Sequence, residues 1–325
     1  MARMQTELNG HCTVCGRRLA RRLEYGGRIY CEQHYNSFVD DVQPLWQTSV
    51  FMFGLLVAVV IAIAVAGLLF DLEVTGRPRV VLGVALSILP GLMWLFFLTR
   101  LAAARQVEVS PLLPTVFVLS ALIAVAVAHP LVYELIDLDA WLARATPVNR
   151  LLANILLGGS IHAFLLYAII RYTVWQTPAF ERRVDGIIFS LVAAWGYAAT
   201  FNTIFVLDYG GVSLVNGSFR LFAQTYAFLV PGLIIGYFLG INRFEDRPFY
   251  YLTIGVALSA FLNGFLMYAG VELNNIRVNL ATDGFSPWPG LVLTFGTLLA
   301  TYAAVFGLLR RENTLTRARI ERKAS

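Results

Sequence analysis

The sequence predicts an all-α membrane protein, a bundle of eight transmembrane helices carrying a small N-terminal zinc finger, and three observations support that fold class. With 58% hydrophobic and 14% charged residues, the chain lies far outside the composition of soluble domains. Eight long apolar stretches follow one another, each able to cross about 30 Å of hydrocarbon as a helix. All three cysteines stand ahead of the first stretch.

The head, residues 1–40, is the soluble module. It carries Cys12-x2-Cys15, then fifteen residues, then Cys31-x2-His34. Two knuckle-spaced pairs at that separation suit a tetrahedral zinc ion held by three thiolates and one imidazole. Gly16 and Gly26-Gly27 fit tight turns that bring the pairs together, and Arg28-Ile29-Tyr30 suits a strand entering the second pair. The alternative is free thiols in an unstructured head, since a cytosolic compartment disfavours disulfides and three cysteines cannot all pair. Four protein ligands close the coordination sphere, so the zinc is expected to be structural. In so small a module it also supplies the folding free energy. His11, beside Cys12, is expected to be a bystander. The stretch CTVCGRRL…GGRIYCEQHY resembles a single treble-clef or LIM-type zinc finger. Residues 41–48 form a juxtamembrane linker, broken at Pro44 and anchored by Trp46, that keeps the finger near the membrane.

The transmembrane domain, residues 49–309, is read as spans at Ser49–Phe70, Val80–Thr99, Leu112–Tyr133, Leu151–Ile170, Gly186–Leu207, Phe219–Ile241, Phe249–Val271 and Pro289–Leu309. Helices are the only open-ended solution, because every backbone amide must find a partner without water. The first apolar run begins too late to read as a signal peptide. Eight crossings put both termini on one side, and 19 of the 25 basic residues fall there. Arg77, Arg79, Arg144, Arg150, Arg220 and Arg277 are the remainder. That bias predicts a multipass protein of the cytoplasmic membrane with head and tail in the cytosol. Trp141 and Trp288 suit the opposite interface. The basic tail, residues 310–325, is expected to rest on anionic headgroups, so the net charge of +5 calls for no nucleic acid.

Small residues mark expected helix seams. Gly232, Gly236 and Gly240 share one face of span six; Gly255, Ser259 and Asn263 answer at the same period in span seven, and Gly296, Ala300, Ala303 and Gly307 follow in span eight. Pro231 predicts a kink in span six. Leu135, Leu138 and Trp141-Leu142 recur at helical spacing among acidic residues, which suggests a short amphipathic helix on the outer surface. His129, before Pro130, is expected at the interface. Asn216-Gly217-Ser218 reads as a turn.

Across about residues 150–270, the runs FERRVDGIIFSLVAAWGYAATFN and GLIIGYFLG resemble the PrsW-type intramembrane proteases, which group with the membrane-embedded peptidases of the prenyl-protein-processing kind. Phe180 ahead of Asp185-Gly186, the small face from Gly196 to Thr200, Asn202, and Gly236-Tyr237 with Gly240 carry the resemblance. It implies a membrane-embedded endopeptidase core. The departures fall where that chemistry sits. The family's paired glutamates and following lysine correspond to the stretch from His162 to Leu166. Its Glu before the asparagine is Phe201, and its two histidines fall at Phe228 and Asn263.

Hydrolysis in that manner needs a water activated by a metal or a carboxylate base. The polar residues left inside the spans, His162, Asn202, Gln224 and Asn263, offer one imidazole and three amides. They suit a polar network or ordered water. His162 is the one ionisable side chain well inside a span, and a neutral histidine bonded between helices is the competing structural reading. Ser160 stands two residues from His162 and so faces elsewhere on the helix. His129 and His162 lie at different depths, a weak basis for haem. Asp208 and Glu272 are the carboxylates placed to reach the cluster. The sequence is therefore read as a PrsW-type relative that has lost its chemistry and has no catalytic residues. It would act in the bilayer by binding transmembrane segments, and cytosolic proteins through its finger. An active PrsW-like endopeptidase with a non-standard site is the alternative. A transporter finds no support, since the span interiors lack charge and inverted broken segments.

Overall fold

Seven helices among the described residues are long and apolar enough to cross a membrane. The computed structural model describes residues 10–13, 15–19, 23–25, 28–37, 54, 57–63, 65–66, 76–104, 111–275 and 288–324. The head contributes strands β1 (Leu23–Tyr25) and β2 (Arg28–Tyr30) and helix α1 (Glu32–Ser37). The membrane domain contributes α2 (Arg77–Ala104), α3 (Leu112–Ile123), α4 (Leu138–Arg144), α5 (Pro147–Ala153), α6 (Ser160–Thr173), α7 (Arg183–Asp208), α8 (Leu214–Phe244), α9 (Tyr250–Asn275) and α10 (Trp288–Ala324). The expected first span, Ser49–Phe70, lies largely outside the described residues, as do the linker 41–48 and Gly26-Gly27. The described part of that span is helical, and its Val60 is buried.

The seven other spans coincide with helices that run past their apolar cores. Two capped starts explain their entry points. Thr146 accepts a bond from the Asn149 amide at the head of α5, with Pro147 in the first turn. Ser213 Oγ accepts from the Gly217 amide at the head of α8. Span eight does not stop at the membrane: α10 continues through the basic tail to Ala324. Arg183 explains why, donating to Glu245 at 2.7 Å and to Asn313 and Thr316 of α10 at 2.9 and 3.1 Å. Arg247 pairs with Glu245 and, at 3.6 Å, with Glu312.

α7 and α8 form the centre. In each, 89% of the apolar window is buried, against 28–44% in the other spans. Glycine makes this pairing possible. A Cβ on Gly236 would lie 2.6 Å from the Gly186 carbonyl oxygen, and Cβ atoms on Gly232 and Gly240 would also meet α7 backbone. The expected seam of span six is thus the α7–α8 contact. The seam of span seven packs on another face of α8, with Gly255 against Phe238 and Ser259 fully buried. In span eight no described residue covers the expected seam. Cβ atoms on Gly296 and Gly307 would meet nothing within 4 Å, and this face of α10 is exposed. The spacing marked a small stripe, which does not say whether a neighbour covers it.

Span three departs from regular helix. π-Helical stretches at Ala124–Ala128 and Pro130–Leu135 follow α3, and the His129 amide reaches back to the Ala124 carbonyl. Pro130 has no N–H to give, and the wider turn accommodates it. The short outer helix expected near Trp141 is α4, which buries Leu138 and leaves Trp141 exposed.

Candidate functional site

The head brings its four expected ligands together. Gly16, at a φ of +69°, closes a turn in which its amide meets the Cys12 carbonyl at 2.9 Å. The β1–β2 hairpin pairs Leu23 with Tyr30 and delivers Cys31 at its end, and α1 then places His34 one turn on. The donor atoms of Cys12, Cys15, Cys31 and His34 all lie within 4.8 Å of one another. Cys15 and Cys31 sulfurs stand 3.9 Å apart, and His34 Nδ1 lies 3.1 Å from Cys31 and 3.6 Å from Cys12. A tetrahedron with Zn–S bonds of about 2.3 Å has sulfur–sulfur edges of about 3.8 Å. The Cys3His set therefore fits a metal ion such as zinc through Nδ1 of His34. Burial, reinforced by the neighbouring thiols, pushes the Cys15 thiol up to about 11, and burial followed by Arg17 and Arg243 holds the His34 imidazole below its ordinary value. The histidine is thus in its ligating, neutral form. His11 stays exposed, in a bridge with Arg18.

The head is docked on the bundle. Arg28 donates to the Arg243 carbonyl, and the Tyr30 hydroxyl donates to the Phe244 carbonyl at 2.5 Å. These are carbonyls of the last turn of α8, which no intrahelical amide can satisfy. Strand β2 therefore caps the central helix of the membrane domain.

The four polar residues inside the spans do not share one network. His162 Nδ1 lies 2.7 Å from the Tyr197 hydroxyl. Asn202 donates to the Leu221 carbonyl and to Thr225 Oγ1 at 3.0 and 2.9 Å. Gln224 reaches Met267 Sδ at 3.5 Å, and Asn263 donates to the Ala227 carbonyl at 2.9 Å. Around His162 stand Phe201 and Phe228, edge to face, with ring centroids at 5.2 and 5.3 Å. These are two of the positions where the resemblance implies an acid and an imidazole. They converge on one point, and there they are aromatic.

A cavity of about 740 Å³ opens at the end of the bundle away from the docked head. Asn202, Gln224 and Phe201 line it together with Asp208 and Glu272, whereas His162 and Asn263 do not. Phe201 thus separates His162 from the cavity. Glu272 is paired with Arg150 at 2.8 Å, and the Arg220 guanidinium stacks 3.3 Å above the Phe205 ring. His129, expected at the interface at the outer end of span three, lines the cavity there beside Phe201. Tyr197 was missed; a tyrosine within an apolar span, in the stretch GYAATFN, was the available signal.

The motif before α7 has a structural role. Asp185 accepts from the Glu181 and Arg182 amides at 3.0 and 2.7 Å and from the Arg182 guanidinium at 2.9 Å, capping the helix. Phe180 is buried against Phe189 and Phe244.

Fold and site together define a multipass helical membrane protein whose head carries a Cys3His group able to hold a metal ion. Over a third of its length the chain is PrsW-like. It is 30% identical over 108 residues to a protein named Protease PrsW from Halalkalibacterium halodurans, and 27% identical over 110 residues to the Protease PrsW of Shouchella clausii. These matches cover 33% and 34% of this chain and 49% and 50% of those proteins, so the chain spans about half the length of the curated relatives it matches. No family model matches the chain, and no solved structure matches it.

Proposed function

We propose that this protein is a PrsW-like pseudoprotease: a membrane protein that binds transmembrane segments of other proteins at its cavity without cleaving them, with a structural zinc ion in a cytosolic finger. The enclosure of His162 supports this reading most. Its ring is boxed by Phe201, Phe228 and Tyr197, and Phe201 bars it from the cavity. A base must lie within hydrogen-bonding reach of the proton it takes, directly or through one water. The cavity floor offers amides, which bind backbone without activating water. The finger provides a docking surface for a cytosolic protein.

One observation favours the alternative, an active endopeptidase with a non-standard site. Asp208, Glu272, Glu134 and Asp139 share the cavity with Asn202 and Gln224. Carboxylates are therefore within reach of whatever occupies it.

A photo-crosslinking residue at Gln224 tests the binding reading in native membranes. Crosslinks to intact membrane proteins support it, and absence of any transmembrane partner overturns it. Orientation is tested by an impermeant thiol reagent, which should modify Tyr209→Cys in intact cells and leave the head cysteines untouched.

A further inference from the structure

Where head and bundle meet, three arginines converge around Trp175. Arg171, in the last turn of α6, lays its guanidinium 3.5 Å from the Trp175 ring centroid, and Arg243, in the last turn of α8, lies 5.3 Å from it. Arg28 of β2 bonds the Arg243 carbonyl, and the charges of Arg28 and Arg171 both act on Arg243. The helix C-termini offset part of this positive charge. A Cys3His zinc centre, with three thiolates on a divalent ion, adds one net negative charge.

The excess remains. None of the ion pairs among the described residues involves Arg28, Arg171 or Arg243. Nε of Arg243 and Nη1 of Arg171 are buried without an acceptor among the described residues, and Arg243 as a whole is only 8% exposed. The cation–π contact engages the face of Arg171 and leaves its N–H edge unanswered. Buried donors of this strength normally have an acceptor. Arg171 and Arg28 are partly exposed, so the cluster can be reached from outside.

We propose that Arg28, Arg171 and Arg243, framed by Trp175, form a binding site for a phosphate group, carried by an anionic phospholipid headgroup or free in solution. Guanidinium forks match phosphate oxygens in pairs. The site lies at a bundle end that already gathers a tryptophan and basic residues, where headgroups are found.

The test uses the full-length, zinc-loaded protein in two arms. In the first, nanodiscs of phosphatidylcholine mixed with phosphatidylglycerol are extracted and the retained lipid is measured by native mass spectrometry. In the second, detergent-solubilised protein is titrated with inorganic phosphate at constant ionic strength and its thermal unfolding followed. Wild type should enrich phosphatidylglycerol, be stabilised by phosphate, or both. Arg171→Gln should weaken the effect about tenfold, the loss of one charge-assisted bond of roughly 1.4 kcal/mol. Arg171→Lys should retain part of it. A response in the lipid arm alone identifies the headgroup as the source, and one in the phosphate arm alone identifies the free ion. Arg171 is a half-exposed helix-end residue, so its variants are expected to fold; Arg243→Gln provides the second substitution. Absence of any wild-type preference in both arms, or responses equal in wild type, Arg171→Gln and Arg243→Gln, overturns the site.

Discussion

Asn263 donates its side-chain amide to the Ala227 carbonyl at 2.9 Å, and Ala227 stands four residues before Pro231. In an α-helix the amide of residue 231 would meet that carbonyl; proline has none to offer. α8 nevertheless runs without a break from Leu214 to Phe244. A buried asparagine on α9 supplies from outside the donor that the helix lacks, as neighbouring helices do where proline interrupts a span. The position that resemblance associates with a histidine thus has a structural task here.

Asn263→Ala is expected to destabilise the bundle by about 1–3 kcal/mol, the cost of an unsatisfied buried carbonyl. Adding Pro231→Ala restores the internal donor and should recover much of that loss. Unfolding of the single and double variants in detergent gives the coupling energy; strictly additive effects would remove the pairing from the account.

The glycine contacts make a paired prediction. Gly236→Ala places a methyl group 2.6 Å from the Gly186 carbonyl oxygen and should cost about 1–3 kcal/mol through overpacking. Gly296→Ala meets open space and should be neutral or stabilising by up to about 1 kcal/mol through helix propensity. Thermal unfolding of the two variants decides whether α7–α8 contact, rather than glycine content, holds the core.

Purified protein should contain one zinc per chain, and Cys15→Ser or Cys31→Ser should release it while the bundle stays helical. Loss of the finger frees the Arg243 and Phe244 carbonyls, so limited proteolysis should reach the end of α8 in the variants. Acid should act in the same direction. The His34 imidazole is held below its ordinary value of 6.5, so its contribution is complete above that pH and is lost as pH falls below it towards the depressed value. Full zinc retention after both replacements would remove the assignment of these ligands.

His162→Gln should preserve the fold, since glutamine keeps a donor and an acceptor for Tyr197. Phe201→Glu should destabilise the bundle by a few kcal/mol, because it places a carboxyl group among Phe228, Tyr197 and His162. Alone it should yield no peptidase, since a carboxyl so enclosed favours its protonated form. Circular dichroism and peptide release from model substrates report the two effects.

Much of this arrangement was legible in the residues. Uncharged runs locate seven helices to within a few residues, the C-terminal end of α10 excepted, because a lipid solvent leaves no other way to satisfy the backbone. Cys12 to His34 could be read as one site because metal geometry fixes ligand spacing. Long-range pairing was not legible. Nothing local says that Asn263 serves Ala227, that Arg183 ties down α10, or that the small stripe from Gly296 to Gly307 has no neighbour among the described residues. The four polar residues of the spans read as one cluster, yet each meets a different partner.

The most direct test of the pseudoprotease reading reconstitutes the wild-type protein in lipid with a panel of transmembrane substrates and analyses the products by mass spectrometry. No cleavage above that of empty vesicles is expected, while crosslinking shows the same segments bound. Reproducible cleavage by wild type that disappears in His162→Gln would contradict the reading and establish the endopeptidase alternative.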